Sequence, residues 1–83
     1  MSADLTDDEQ WRLQERRRIG RSIRVAREYH NLTQEKVFLA VPMNRAYYQQ
    51  IESGEANPTL DMLIDIARAI GVSLTELLGS HSG

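Results

Sequence analysis

Apolar residues recur at helical spacing in three stretches of this chain. Ile19, Ile23 and Ala26 make the first stripe, Leu60, Leu63, Ala67 and Ile70 the second, and Leu74, Leu77 and Leu78 a short third. Between the first and second stripes lie two shorter runs, each preceded by a good N-cap, Thr33 and Asn44. A tight turn at Val41-Pro42-Met43 separates them, because Pro42 disfavours helical geometry at Val41. Gly54 supplies the left-handed residue that ends the second run. Further punctuation agrees: Asn31 tolerates a left-handed conformation after the first stripe, Thr59 caps the second stripe and Gly71 stops it. Ser73-Leu74-Thr75-Glu76 is a capping box that opens the third. The pattern predicts five helices and no strands.

The N-terminal end is less regular. Thr6-Asp7-Asp8-Glu9 has capping-box form and places acids in a first turn, so a helix is expected to begin there. Whether it runs unbroken to His30 is left open by Gly20, which costs about 1 kcal/mol against alanine in a helix interior. Projecting the first stripe backwards meets Arg16, Glu15 and Arg12, while Trp11 and Leu13 lie off it. The expected division is a partly helical extension over residues 1–18, a domain over 19–78 and a flexible tail over 79–83. Trp11 either folds back on the domain edge or meets a second subunit, since tryptophan is enriched at interface hot spots.

Residues Leu32-Thr33-Gln34-Glu35, Asn44-Arg45, Tyr47, Gln50-Ile51-Glu52, Gly54 and Asn57-Pro58-Thr59-Leu60 stand in a fixed register. In that register the chain resembles the XRE-type (Cro and lambda-repressor-like) helix-turn-helix family from about Ile19 to Leu78. The resemblance implies an all-α, five-helix lambda-repressor-like DNA-binding domain with an N-terminal helical extension. Its helix-turn-helix would span about 33–53 and its recognition helix, helix 3, about 45–53. The sequence departs from the family at three points: Phe38 replaces a small alanine, Tyr48 a common isoleucine or valine, and Pro42 the turn glycine. Phe38 is expected to point elsewhere or to push helices 2 and 3 apart.

Composition narrows the function. Eighty-three residues allow one small domain, and 41% hydrophobic with 27% charged residues is ordinary for a globular protein. The absence of cysteine excludes disulfides and thiolate chemistry. No apolar run approaches a membrane span and the N-terminus is no signal peptide, so a cytoplasmic protein is expected. His30 and His81 have no legible catalytic or metal partners; Asp61 and Asp65 read as helix-surface acids. No enzyme activity, metal, cofactor or small-molecule ligand is expected. A net charge of −2 is a poor sign for nucleic-acid binding, but distribution matters more. Seven of the ten cations, Arg12, Arg16, Arg17, Arg18, Arg21, Arg24 and Arg27, lie in one sixteen-residue window, and for most of them a solvated helix face is the better reading.

With Tyr48 set inward, about 100° per residue turns Ala46, Gln49, Gln50 and Ser53 outward, with Arg45 and Tyr47 at the flanks. Arginine matches the edge of guanine, glutamine that of adenine, and Ala46 a thymine methyl. On the resemblance, Arg45, Ala46, Gln49 and Gln50 are candidate base contacts. Thr33, Gln34, Asn44, Tyr47 and Ser53 are candidate phosphate contacts, Gln34 at the amide-rich start of helix 2. The resemblance also pairs Arg27 with Glu52 as a buried structural ion pair. After Gly54, Glu55 and Ala56 stand where the family often has cations, which lowers the expected non-specific affinity.

The expected function is a sequence-specific DNA-binding transcriptional regulator acting on double-stranded DNA as a homodimer, because one recognition helix covers only a few base pairs. Trp11, Ile66, Leu74 and Leu78 are the candidate dimer contacts. Small size without an effector domain resembles phage repressors and the controller proteins of restriction–modification systems. The alternative is a protein-interaction or antitoxin-like module on the same scaffold, which the acidic balance, Glu55 and Trp11 favour.

Overall fold

The computed structural model describes residues 6–79; the expectations for residues 1–5 and 80–83 lie outside it. Five helices follow in order: α1 Asp7–Tyr29, α2 Gln34–Leu39, α3 Arg45–Ser53, α4 Leu60–Ile70 and α5 Leu74–Leu78. There is no strand among the described residues, and none of the helices is long and apolar enough to cross a membrane. Each helix has a side-chain N-cap: Thr6, Thr33, Asn44, Thr59 and Ser73 each accept a backbone N–H three residues on. Such a cap contributes about 1 kcal/mol, which matters most for helices as short as α2 and α5. Asn31 at φ 59° turns the chain out of α1, and Gly54 at φ 87° turns it out of α3.

The core joins Ile23 of α1, Val37 and Phe38 of α2, Tyr48 and Ile51 of α3, Leu63, Ile66, Ala67 and Ile70 of α4, and Leu77 of α5. Two residues of α4 depart from the expected arrangement. Ile66, a candidate dimer contact, is wholly buried (0% exposed), whereas Leu60, assigned to the core stripe, is 59% exposed. The inward face of α4 is wide enough to take both Ile66 and Ala67, and Leu60 lies at the first turn, beyond the edge of the core.

α1 is one unbroken helix through Gly20. The reason is tertiary. A Cβ at Gly20 would stand 2.4 Å from the carbonyl oxygen of Glu52 and 2.5 Å from that of Ile51, so α3 rests directly on the α1 backbone. Gly54 repeats the device from the other side, where a Cβ would come within 2.6 Å of Arg17 Cγ. Two arginines of α1 then take up carbonyls that helix ends leave open. Arg16 Nε donates to Gly54 O at 3.1 Å, and Arg18 Nη1 to Leu78 O at 3.1 Å and Gly79 O at 3.3 Å. Gly79, the first residue of the expected tail, is therefore held, and its own N–H donates to Thr75 O.

Replacing Gly20 by alanine tests the α1–α3 seat. Alanine favours the helix by about 1 kcal/mol, but overpacking against fixed backbone typically costs about 1–3 kcal/mol. We expect Gly20→Ala to lower the urea midpoint; an unchanged or raised midpoint would show that the two backbones are not in contact.

Candidate nucleic-acid interface

The outer face of α3 is supported by a carboxylate buried beneath it. The Glu52 side chain is 4% exposed and that of Arg27 9%. Arg27 donates to it twice, from Nε to Oε2 at 2.7 Å and from Nη2 to Oε1 at 3.2 Å, so the structure brings this pair together in fork geometry. Tyr48 Oη donates to Oε2 at 2.6 Å and Gln34 Nε2 to Oε1 at 3.0 Å. Burial pushes the Glu52 carboxyl up, but the bonds from Arg27, Tyr48 and Gln34 outweigh it and hold the pKa below the usual carboxylate value. The hydrogen bond to Glu52 raises Arg27 above its ordinary value, and burial pushes the Tyr48 hydroxyl well up, so both remain donors.

Gln34 carries this arrangement outward. Its amide nitrogen is held by Glu52, and its amide oxygen accepts from Gln49 Nε2 at 3.2 Å. Gln49 lies on the exposed face of α3 with Ala46, Gln50 and Ser53. Arg45 is also exposed, and its guanidinium lies 5.2 Å above the Phe38 ring and 3.8 Å from a Glu35 oxygen. Exposed contacts of this kind contribute about 1 kcal/mol or less, so Arg45 leaves them readily. Phe38 turns into the core, its ring centroid 6.4 Å from that of Tyr48. The two bulky departures from the family pattern therefore pack against each other.

The candidate phosphate contacts lie around this face. Thr33 Oγ1 accepts from Lys36 N at 3.1 Å and Asn44 Oδ1 from Tyr47 N at 2.8 Å. Tyr47 is half-buried, with its hydroxyl 3.5 Å from Asn57 O. Ser53 shares its proton between Gln50 O at 3.1 Å and Glu55 Oε1 at 3.2 Å, so this end of α3 meets a carboxylate. Of the candidate dimer contacts, Trp11 is 66% exposed and does not fold back on the domain, whereas Leu74 and Leu78 are half-buried against the core. Arg16 and Arg18 were missed as helix-end partners. Only the position of Arg16, about one turn before Gly20, hinted at it.

Two short helices with the second exposed across a tight turn define a DNA-binding helix-turn-helix protein. The chain belongs to the helix-turn-helix family, whose pattern matches residues 23–77, and it is a DNA-binding transcription regulator of the XRE type. It is 35% identical over 63 residues to an uncharacterized HTH-type transcriptional regulator, y4dJ, of Sinorhizobium fredii, spanning 76% of this chain and 82% of that protein. It is 36% identical over 58 residues to the control protein C.BamHI of Bacillus amyloliquefaciens, spanning 70% of this chain and 69% of that one. Among solved structures, the restriction-modification controller protein C.AhdI from Aeromonas hydrophila superposes with a TM-score of 0.74 at 25% identity, covering 77% of this chain and 97% of that chain.

Removing one partner of a buried ion pair strands the other charge, so Glu52→Ala should lose about 3–5 kcal/mol in denaturant titration. The pH dependence has a definite sign. A carboxyl depressed below its ordinary 4.5 contributes stability that is present above that value and lost as pH falls through the depressed one. The wild type should therefore lose stability below pH 4.5 more steeply than Glu52→Gln, and parallel acid limbs would contradict the pairing.

Proposed function

We propose that this regulator is sequence-specific, that it binds as a homodimer, and that α3 lies in the major groove of double-stranded DNA. The observation that carries this reading is the outer face of α3. Arg45, Ala46, Gln49 and Gln50 are exposed side by side, while Tyr48, Ile51 and Glu52 lock the opposite face into the domain. In this reading those four residues meet base edges, and Thr33, Gln34 (through its backbone N–H), Asn44, Tyr47 and Ser53 meet phosphates on either side. The start of α2 favours an anion beside Gln34, because its first backbone N–H groups have no partner within the helix.

Two copies supply the length of site that one helix lacks. Since Ile66 is buried, the pairing surface is drawn from the exposed side of α4, where Leu60 and Ile64 stand four residues apart and are 59% and 42% exposed. Trp11, Leu74 and Leu78 remain candidates beside it. The similarity to proteins named as control and controller proteins supports a role of the same kind, in which the concentration of the dimer sets occupancy of its site. No site for a small effector is assigned.

Selection from a random duplex pool should return a palindromic motif, with half-sites about one helical turn apart, bound well above random DNA. Gln50→Ala should change the base preferred at one position of each half-site and leave the melting curve unaltered. Equal, weak binding to every sequence would remove base reading by α3. For pairing, Ile64→Asp should shift the protein to monomer in sedimentation at unchanged helicity; a dimer that survives places the interface elsewhere.

A further inference from the structure

One charged feature has no part in that scheme. Arg17, Arg21 and Arg24 follow one another on α1 at spacings of four and three residues, which stacks them in a row about 10 Å long. All three are exposed, and none makes a hydrogen bond or ion pair among the described residues. Their neighbours on the same helix are committed: Arg16 to Gly54 O, Arg18 to Glu15 and the end of α5, Arg27 to Glu52. The row lies against the C-terminal end of α3, where with Glu52 and Ser53 it lines an open recess of about 220 Å³. The Glu52 charge is already matched by Arg27, so the recess presents three unmatched positive charges. The close approaches at Gly20 and Gly54 fix α1 in that position.

The surroundings give this row a purpose. Between Arg45 and Arg68 the chain contains no lysine or arginine, and the loop beside Ser53 carries Glu55. A recognition helix in the major groove has a phosphate strand near each end. Thr33, Gln34 and Asn44 serve the N-terminal end of α3, and at the other end α3 and its loop supply only hydroxyl and carboxylate. We propose that Arg17, Arg21 and Arg24 are a phosphate-binding row that holds one DNA strand beside the C-terminal end of α3, in place of the cations its loop lacks. A row of about 10 Å matches about three nucleotides at 3.4 Å of axial rise each. Guanidinium groups suit the task because they bond phosphate oxygens in bidentate fashion. The inference rests on the reading of α3 as the DNA-contacting helix.

The experiment is anisotropy titration of the full chain on its selected duplex and on random DNA, each at several salt concentrations. For the triple variant Arg17→Gln/Arg21→Gln/Arg24→Gln, the slope of log K for the dimer against log salt should become shallower by about 5.4, at about 0.9 per phosphate contact and three contacts from each of two protomers. The preferred motif should stay the same, because phosphate contacts carry no base information. Replacing all three by lysine should restore most of the slope, which also guards against a fold defect in the glutamine variant. As a control for net charge, Arg21→Gln/Arg24→Gln should lose about 3.6 of slope from the dimer's four contacts, while Arg12→Gln/Arg68→Gln, off the row, should lose almost none. If the wild type binds its duplex and the triple variant keeps the wild-type slope, the row is a solvated face and this inference fails alone. If the wild type binds no duplex, the reading of α3 fails and takes the row with it.

Discussion

The fold depends on one buried carboxylate. Glu52 accepts hydrogen bonds from Arg27 on α1, Gln34 on α2 and Tyr48 on its own helix, and Arg27 uses its remaining nitrogen on Leu32 O, where the chain enters α2. A charge in that position is costly to desolvate, and a well-packed apolar substitute is often as stable. What the apolar substitute lacks is direction. Four donors converging on two oxygens fix the rotation and depth of α3 against α1 and α2, which contact area alone leaves loose. A surface that must match a second molecule needs that definition more than it needs an extra kcal/mol.

Local signals were legible in the sequence and distant ones were not. The caps Thr6, Thr33, Asn44, Thr59 and Ser73, the left-handed Asn31 and Gly54, and the stripe through Ile19 and Ile23 each follow from residues within a few positions of one another. Gly20 was misleading for the same reason. Helix propensity counts it as a weak point, yet its missing side chain is the space in which the end of α3 sits. Arg16 and Arg18 find partners 38 and 60 residues away, beyond the reach of any periodicity. On α4, spacing alone could not decide between Leu60 and Ile66, because a helix packed against α1, α2 and α5 buries a wide arc, while its first turn is exposed. At the candidate interface, helical geometry sorted the outward from the inward residues of α3. The link from Gln34 to Gln49 needed the packing of α2 on α3, which the unusual Phe38 and Tyr48 set together.

The arginines of α1 also show how a single composition statistic conceals separate tasks. They are one run in the sequence, on a chain of net charge −2. In the fold Arg16 and Arg18 close helix ends, Arg27 neutralises a core carboxylate, and Arg17, Arg21 and Arg24 remain open to solvent along one edge. The angular position of each residue on the helix, more than its neighbours in sequence, decides which task it takes.

The bond between Gln34 and Gln49 has a consequence for side-chain freedom. An ionised carboxylate only accepts, so Glu52 obliges Gln34 to present its NH₂ inward and its oxygen outward. That oxygen in turn selects the NH₂ of Gln49, leaving Gln49 with one N–H and its carbonyl facing solvent. The orientation of a surface amide is thus dictated by a buried charge two side chains away. Gln49 meets any partner with its rotamer already chosen, whereas Gln50, whose amide has no such tether, must surrender about 0.5–1.5 kcal/mol of entropy on contact. Adjacent and chemically identical, the two glutamines differ in when that entropy is lost: Gln49 as the chain folds, Gln50 as it binds.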